Sequence, residues 1–285
     1  MEIINLGDGS YKNCHIYEDE NTHEAYMAVT DMLNGGITVF RRTSGILEWE
    51  FVKTFYMGWG AMWAPYVVKI EDKIWIYVCD TAGVNPYYET MRIYRFMVSD
   101  TFDNVELDIE RVNVNMDRDH LAMIDPCMFY YQGWWYLAVA ILWDPENLRW
   151  WDIAVFASRN PHGPFELETM QYIGIGDQHL IPDVVNIDEA FKFIPSFDNH
   201  LHCVYSCGDS GVKTGYSVLG HMVSEGMFSE GYLDWVVKPV RLLRNYERLI
   251  TAPTYYQGKM FATTSENEVT GLQTGFDIAV LSEFD

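Results

Sequence analysis

Two acidic residues, Asp125 and Glu189, stand at matched places in the chain. Each opens a short apolar run, and each lies 12 residues before a leucine of the following run, Leu137 and Leu201. Two carboxyl groups delivered to one pocket can give and take protons, which is the raw material of acid–base catalysis. Such delivery requires a repeat. Asp125 belongs to Ile124-Asp-Pro-Cys-Met-Phe-Tyr-Tyr-Gln-Gly-Trp-Trp-Tyr-Leu137: a strand, a turn with Gly, and an aromatic strand running back. In a β-propeller built from such units, the residue opening each innermost strand points at the central pocket.

Further copies align on the same offset. Ala64, in Trp63-Ala64-Pro65, lies 12 residues before Ile76, and Ala252-Pro253 opens a copy whose Gln257-Gly258 turn matches Gln132-Gly133. The most worn copy begins at Asn13-Cys14-His15 and returns through Glu24 to Thr30. Each copy then supplies a third run with the period of two of a half-buried strand: Gly36 to Arg41, Met91 to Phe96, Asp152 to Ser158, Tyr216 to Met222 and Phe276 to Leu281. Five copies predict an all-β fold, a five-bladed propeller occupying residues 1–285 as one domain. The run Glu2 to Leu6 is left to pair beside Phe276 to Leu281, closing the ring and removing two raw sheet edges.

Composition narrows the partners. The chain is 49% hydrophobic and 15% aromatic, with a formal charge of −22 from 19 basic and 41 acidic residues. That balance excludes a general binder of nucleic-acid backbones, which needs clustered Lys and Arg. It also disfavours anionic membranes and sulfated glycans, and leaves neutral oligo- or polysaccharides as natural ligands. No apolar run approaches the roughly 18–20 residues of a membrane span. Met1-Glu2-Ile3-Ile4-Asn5 lacks the regions of a signal peptide, so a cytoplasmic origin is expected, with assembly into a virus particle as one route outward.

The five cysteines, an odd number, read as buried free thiols of a reducing compartment. Cys203 and Cys207 would stand about 13 Å apart along one strand, too far to bridge. No CxxC pair or His/Cys cluster points to a metal. His179, His200, His202 and His221 have no partner motif and read as structural. No cofactor is expected beyond the calcium ion that a propeller's central channel can hold.

The ordered set Trp63-Ala64-Pro65, Ile124-Asp125-Pro126 with Gly-Trp-Trp-Tyr-Leu, Ala154-Val-Phe-Ala-Ser158 running to Gly163-Pro164-Phe165, and Glu189-Ala190 resembles the blade signatures of glycoside hydrolase family 43. It is also similar to those of the related propeller glycosidases of families 32, 62 and 117. The resemblance spans all five copies in register. It implies inverting hydrolysis of the arabinofuranosidase or xylosidase type with three acids: an Asp base in the first blade, an Asp in the third that tunes the acid, and a Glu acid in the fourth. Carried over by position, Asp125 is the tuning residue and Glu189 the acid, while the base position falls at Asn13 or within a residue or two of it. Asp8 and Glu18 are the nearest acids in the flanking turns.

Inversion needs one protonated carboxyl at the leaving oxygen and one ionised carboxylate that deprotonates water on the opposite face. An amide orients water but does not take its proton. The expected function is therefore a carbohydrate-binding propeller with impaired catalysis. Two alternatives stay open: a hydrolase using another acid as base, or a structural or receptor-binding subunit of a larger assembly such as a virion. Trp59, Trp63, Trp135 and Trp143 are the candidate stacking surfaces for sugar. Trp134 and Trp135, as strand neighbours, face opposite sides and cannot share one role. Packing between blades, and a turn-capping role for Asp125, are the plainer readings of the same residues.

Overall fold

The structure is a computed structural model. It describes residues 2–56, 61–80, 91–115, 122–142, 151–166, 169–173, 184–195, 200–209, 216–229, 231–236, 243–244, 249–265 and 276–281. The strands are β1 (Glu2–Ile3), β2 (Tyr11–Glu18), β3 (Ala25–Asp31), β4 (Gly36–Arg42), β5 (Trp49–Phe55), β6 (Trp63–Ile70), β7 (Lys73–Asp80), β8 (Arg92–Val98), β9 (Val105–Arg111), β10 (Val114–Asn115), β11 (Ala122–Tyr131) and β12 (Trp134–Leu142). They continue with β13 (Trp151–Ser158), β14 (Phe165–Glu166), β15 (Gln171–Ile173), β16 (Val184–Pro195), β17 (Leu201–Asp209), β18 (Tyr216–Ser229), β19 (Tyr232–Val236), β20 (Leu243–Arg244), β21 (Leu249–Tyr256), β22 (Lys259–Ser265) and β23 (Phe276–Leu281).

The fold is an all-β propeller. Four sheets have the regular four-stranded form: β2-β3-β4-β5, β6-β7-β8-β9, β11-β12-β13-β15 and β1-β23-β22-β21. The expectation of five like blades is corrected here, because the sheet between the last two departs from that form. It is five-stranded, and its long β18 pairs β17 on one side and β19 and β20 on the other. A 14-residue strand has room for two short partners, so this sheet is bent and wider than its neighbours. A parallel ribbon of β10 and β14 ties the exits of the second and third sheets. β1 pairs β23, with Glu2 opposite Val280 and Ile3 opposite Ala279.

The burial pattern explains the layering. The second strand of a sheet is covered on both faces and is apolar almost throughout; every residue of β3 is buried. The outer strands β5 and β9 carry Glu, Lys, Asp and Arg, β9 largely exposed and β5 partly so, which blunts two free sheet edges. The apolar cores lie between sheets: one cluster joins Met27 and Phe40 to Phe261 and Ile278, and another joins Tyr26 and Val39 to Ile76 and Phe96. On the face away from the pocket, Tyr256 donates to Glu18 and accepts from Arg42, linking the first and last sheets side chain to side chain.

The innermost strands β2, β6, β11, β16 and β21 pack against one another in succession, and β21 packs against β2. Near its start each one leaves the ladder. The register breaks between Lys12 and His15, Trp63 and Tyr66, Ile124 and Cys127, Thr251 and Thr254, and twice in β16, on either side of Glu189. In four of these breaks a non-glycine residue turns left-handed, with φ between 51° and 54° at Asn13, Ala64, Asp125 and Ala252. Such a conformation costs about 1–2 kcal/mol for an L-residue, and it strips the N–H from the ladder.

The preceding sheet meets that N–H. Asn13 donates its backbone N–H to Thr263 Oγ1 at 2.9 Å, and Ala64 donates to Thr30 Oγ1 at 2.9 Å. Asp125 donates to the Cys79 thiol, which in turn donates to Trp63 O at 3.4 Å. Thr30, Cys79 and Thr263 hold one equivalent place, each directly opposite the residue before its own sheet's turn. In the third sheet that place belongs to Ala140, opposite Ile124, which offers no acceptor to the fourth. Thr263→Val and Thr30→Val each leave a buried N–H without its acceptor at nearly constant volume. Each is expected to cost about 1–3 kcal/mol in urea unfolding; a loss within experimental error in both would show that these hydroxyls do not join the sheets.

Candidate functional site

The left-handed turn re-aims one residue per sheet toward the convergence of the inner strands. Asn13, Ala64, Asp125 and Ala252 share this backbone position, and Glu189 stands at the corresponding break of β16, opposite Ser206. The chain thus places Asp125 and Glu189 on neighbouring inner strands, with β2 and its Asn13 two strands beyond. Asp125 is 5% exposed, a carboxyl largely withdrawn from water. Asn13 is 9% exposed, and among the described residues its side-chain oxygen has no hydrogen-bond partner. The side chain of Glu189 lies outside the described residues. Ala64 and Ala252 make the remaining two positions apolar and small.

The two acids flanking Asn13 in sequence differ in position. Glu18 ends β2 on the side away from the pocket, roughly 16 Å along the strand from Asn13. There Tyr256, His23, Arg42 and Gln257 surround it; partial burial raises its pKa, but these contacts outweigh that and hold the carboxyl below its usual value. It cannot serve as a base at Asn13. Asp8 is exposed in the segment leading into β2, at the pocket end.

Of the aromatic candidates, Trp63 is half-buried and lines a cavity of about 300 Å³ with Asp31, Asn34 and Ala61, beside the entry of β6. Trp135 is separated from the pocket. It follows the Gln132-Gly133 turn, pairs with Tyr130 and packs a tilted ring against it at 5.2 Å, at the end of β11 remote from Asp125. Trp59 and Trp143 lie outside the described residues.

One layer below the turns, the first residues back in register are His15, Tyr66, Cys127, Lys192 and Thr254. Four of them meet at one phenol. The His15 ring lies 4.0 Å from the Tyr66 ring, Lys192 Nζ stands 5.2 Å from the Tyr66 centroid, and Tyr66 shares a hydrogen bond with the Cys127 thiol. His15 Nδ1 accepts the Val67 N–H at 3.0 Å, and Cys127 Sγ accepts the Phe193 N–H at 3.4 Å. This layer floors the pocket. Sequence reasoning passed over it, although a lysine between two phenylalanines, Phe191-Lys192-Phe193, was the available signal.

Burial, and then the Lys192 charge, hold the His15 imidazole well below its usual pKa. Burial pushes the Cys14 thiol up to about 12 and raises Cys127 and Tyr66 as well, so the layer is neutral apart from the ammonium. The sign for stability follows. Below about pH 6.5 the unfolded chain protonates His15 while the folded chain does not, so stability falls as pH drops, by up to about 1.4 kcal/mol per unit. Compared with wild type, His15→Gln, which keeps an acceptor for Val67, is expected to show a shallower loss between pH 6.5 and 5. Identical slopes in urea unfolding would show that His15 titrates freely.

No protein-family model and no curated protein matches the sequence. Solved structures do match the fold. An α-L-arabinofuranosidase from Lactobacillus brevis superposes with a TM-score of 0.72 at 13% identity, over 98% of this chain and 93% of that one. An endo-arabinase from Bacteroides thetaiotaomicron gives 0.70 at 14% identity, over 100% and 98%. An α-L-arabinanase from Cellvibrio cellulosa, solved with arabinohexaose, gives 0.57 at 12% identity, over 79% and 77%. At these identities the likeness is one of fold, and in fold the chain resembles the propeller glycosidases.

Proposed function

We propose that this chain is a carbohydrate-binding propeller, a single closed ring over residues 1–285, that holds neutral oligosaccharide in its central pocket with hydrolysis disabled at Asn13. One observation carries the reading: Asn13 occupies the same left-handed position as Asp125, with φ of 54° against 53°, and carries an amide there. An amide takes no proton from water, so the pair needed for inversion is broken on one side. The remoteness of Glu18 supports the same conclusion.

The ring itself is supported by the pairing of β1 with β23, by the Asn13–Thr263 bond and by the packing of β21 on β2. The ligand class is supported by the charge of −22, which repels polyanions, and by the arabinohexaose bound to a structural neighbour. Asp125 and Glu189 then contribute hydrogen bonds to sugar hydroxyls, and Trp63 stands near enough to the entry of β6 to extend the contact.

The test combines binding with turnover. Neutral arabino- and xylo-oligosaccharides are expected to bind in calorimetry, while aryl arabinofuranosides and xylosides are turned over negligibly. Asn13→Asp is expected to raise turnover by about 100-fold or more, the usual worth of a general base, and Glu189→Gln in that background to abolish the gain while sparing binding. Robust turnover by the unmodified chain overturns the impaired reading and points to Asp8. Absence of glycan binding across a broad array leaves an assembly subunit, such as one of a virion, as the function.

A further inference from the structure

We propose that Lys192 gives the central channel its own fixed cation, and that the channel layer therefore takes no metal ion. The inference rests on the floor of the pocket and is independent of the glycan reading. Lys192 lies on the third innermost residue after the Glu189 break, is 5% exposed, and directs its ammonium at the Tyr66 ring, 5.2 Å from the centroid. A buried lysine is rare unless something compensates its charge. Here a phenol face does so in part, since a ring quadrupole attracts a cation.

The donors in this layer do not suit a divalent ion. Calcium takes six to eight oxygens, several of them carboxylate, and among the described residues this layer contains no carboxylate. Zinc takes thiolates and imidazoles, but the Cys127 thiol is held protonated by burial and already accepts from Phe193. The His15 Nδ1 lone pair is spent on the Val67 N–H. Among the described residues no group of three His, Cys, Asp or Glu is placed to hold a metal. A metal ion in this layer would also be repelled by the Lys192 ammonium, which stands 5.2 Å from the Tyr66 centroid. The calcium ion expected from the propeller's channel is thus replaced by a side chain.

The proposal is tested on the full chain. Wild-type protein, equilibrated with millimolar calcium chloride and then dialysed, is expected to retain no stoichiometric calcium by elemental analysis. Its melting temperature is expected to be the same in calcium and in EDTA. Lys192→Glu replaces the ammonium with a ligand of the opposite charge, and calcium is expected to raise its melting temperature by about 4 °C or more; Lys192→Gln supplies no carboxylate and is expected to stay indifferent to calcium. Stoichiometric calcium in the wild type, or a wild-type melting temperature that EDTA lowers, overturns the proposal. So does indifference to calcium in folded Lys192→Glu. Should neither variant fold, the wild-type calcium content decides.

Discussion

The constraint on which this molecule depends is the left-handed turn near the start of four of the innermost strands. It is unfavourable by itself, because Asn13, Ala64, Asp125 and Ala252 all have a β-carbon where glycine would be at ease. At Asn13, Ala64 and Asp125 what stabilises it is the neighbouring sheet, whose threonine or cysteine accepts the displaced N–H. One local distortion thus performs two tasks. It aims a side chain at the pocket, and it makes the aiming conditional on correct contact with the sheet before. Strain held at a site by its surroundings in this way is a common means of pre-organisation.

The same arrangement separates what was legible in the sequence from what was not. The 12-residue offset identified Ala64, Asp125 and Glu189 as equivalents, the Gln257-Gly258 turn added Ala252 and the most worn copy added Asn13, because the signals are local: an apolar strand, a turn, and in three cases a following proline. Those residues are the ones that the structure places at the ladder breaks. The acceptors Thr30, Cys79 and Thr263 were illegible, since each acts on a strand of another sheet and no spacing reports that. Trp135 could have been placed from sequence: the Gly133 turn precedes it, so it must lie at the end of the hairpin opposite Asp125. The breadth of the fourth large sheet was hidden for a different reason, as β18 reads as one strand while serving two partners.

The floor of the pocket shows how a channel can be filled without an apolar plug. Imidazole, phenol, thiol and ammonium from four strands interlock around Tyr66, and each keeps a named partner. Partial satisfaction of such a group would be costly at this depth. The layer is accordingly intolerant of piecemeal change, while the residues one step above it vary freely between alanine, asparagine and carboxylate.

The bond from Asn13 to Thr263 spans 250 positions of the chain. During synthesis the first inner strand emerges long before its acceptor exists, and its exposed N–H must wait on water until nearly the last strand is made. The first sheet is therefore a late finisher despite being the earliest to leave the ribosome. Chains of such high contact order fold slowly, and any release of the nascent chain short of β22 leaves its oldest segment the least complete.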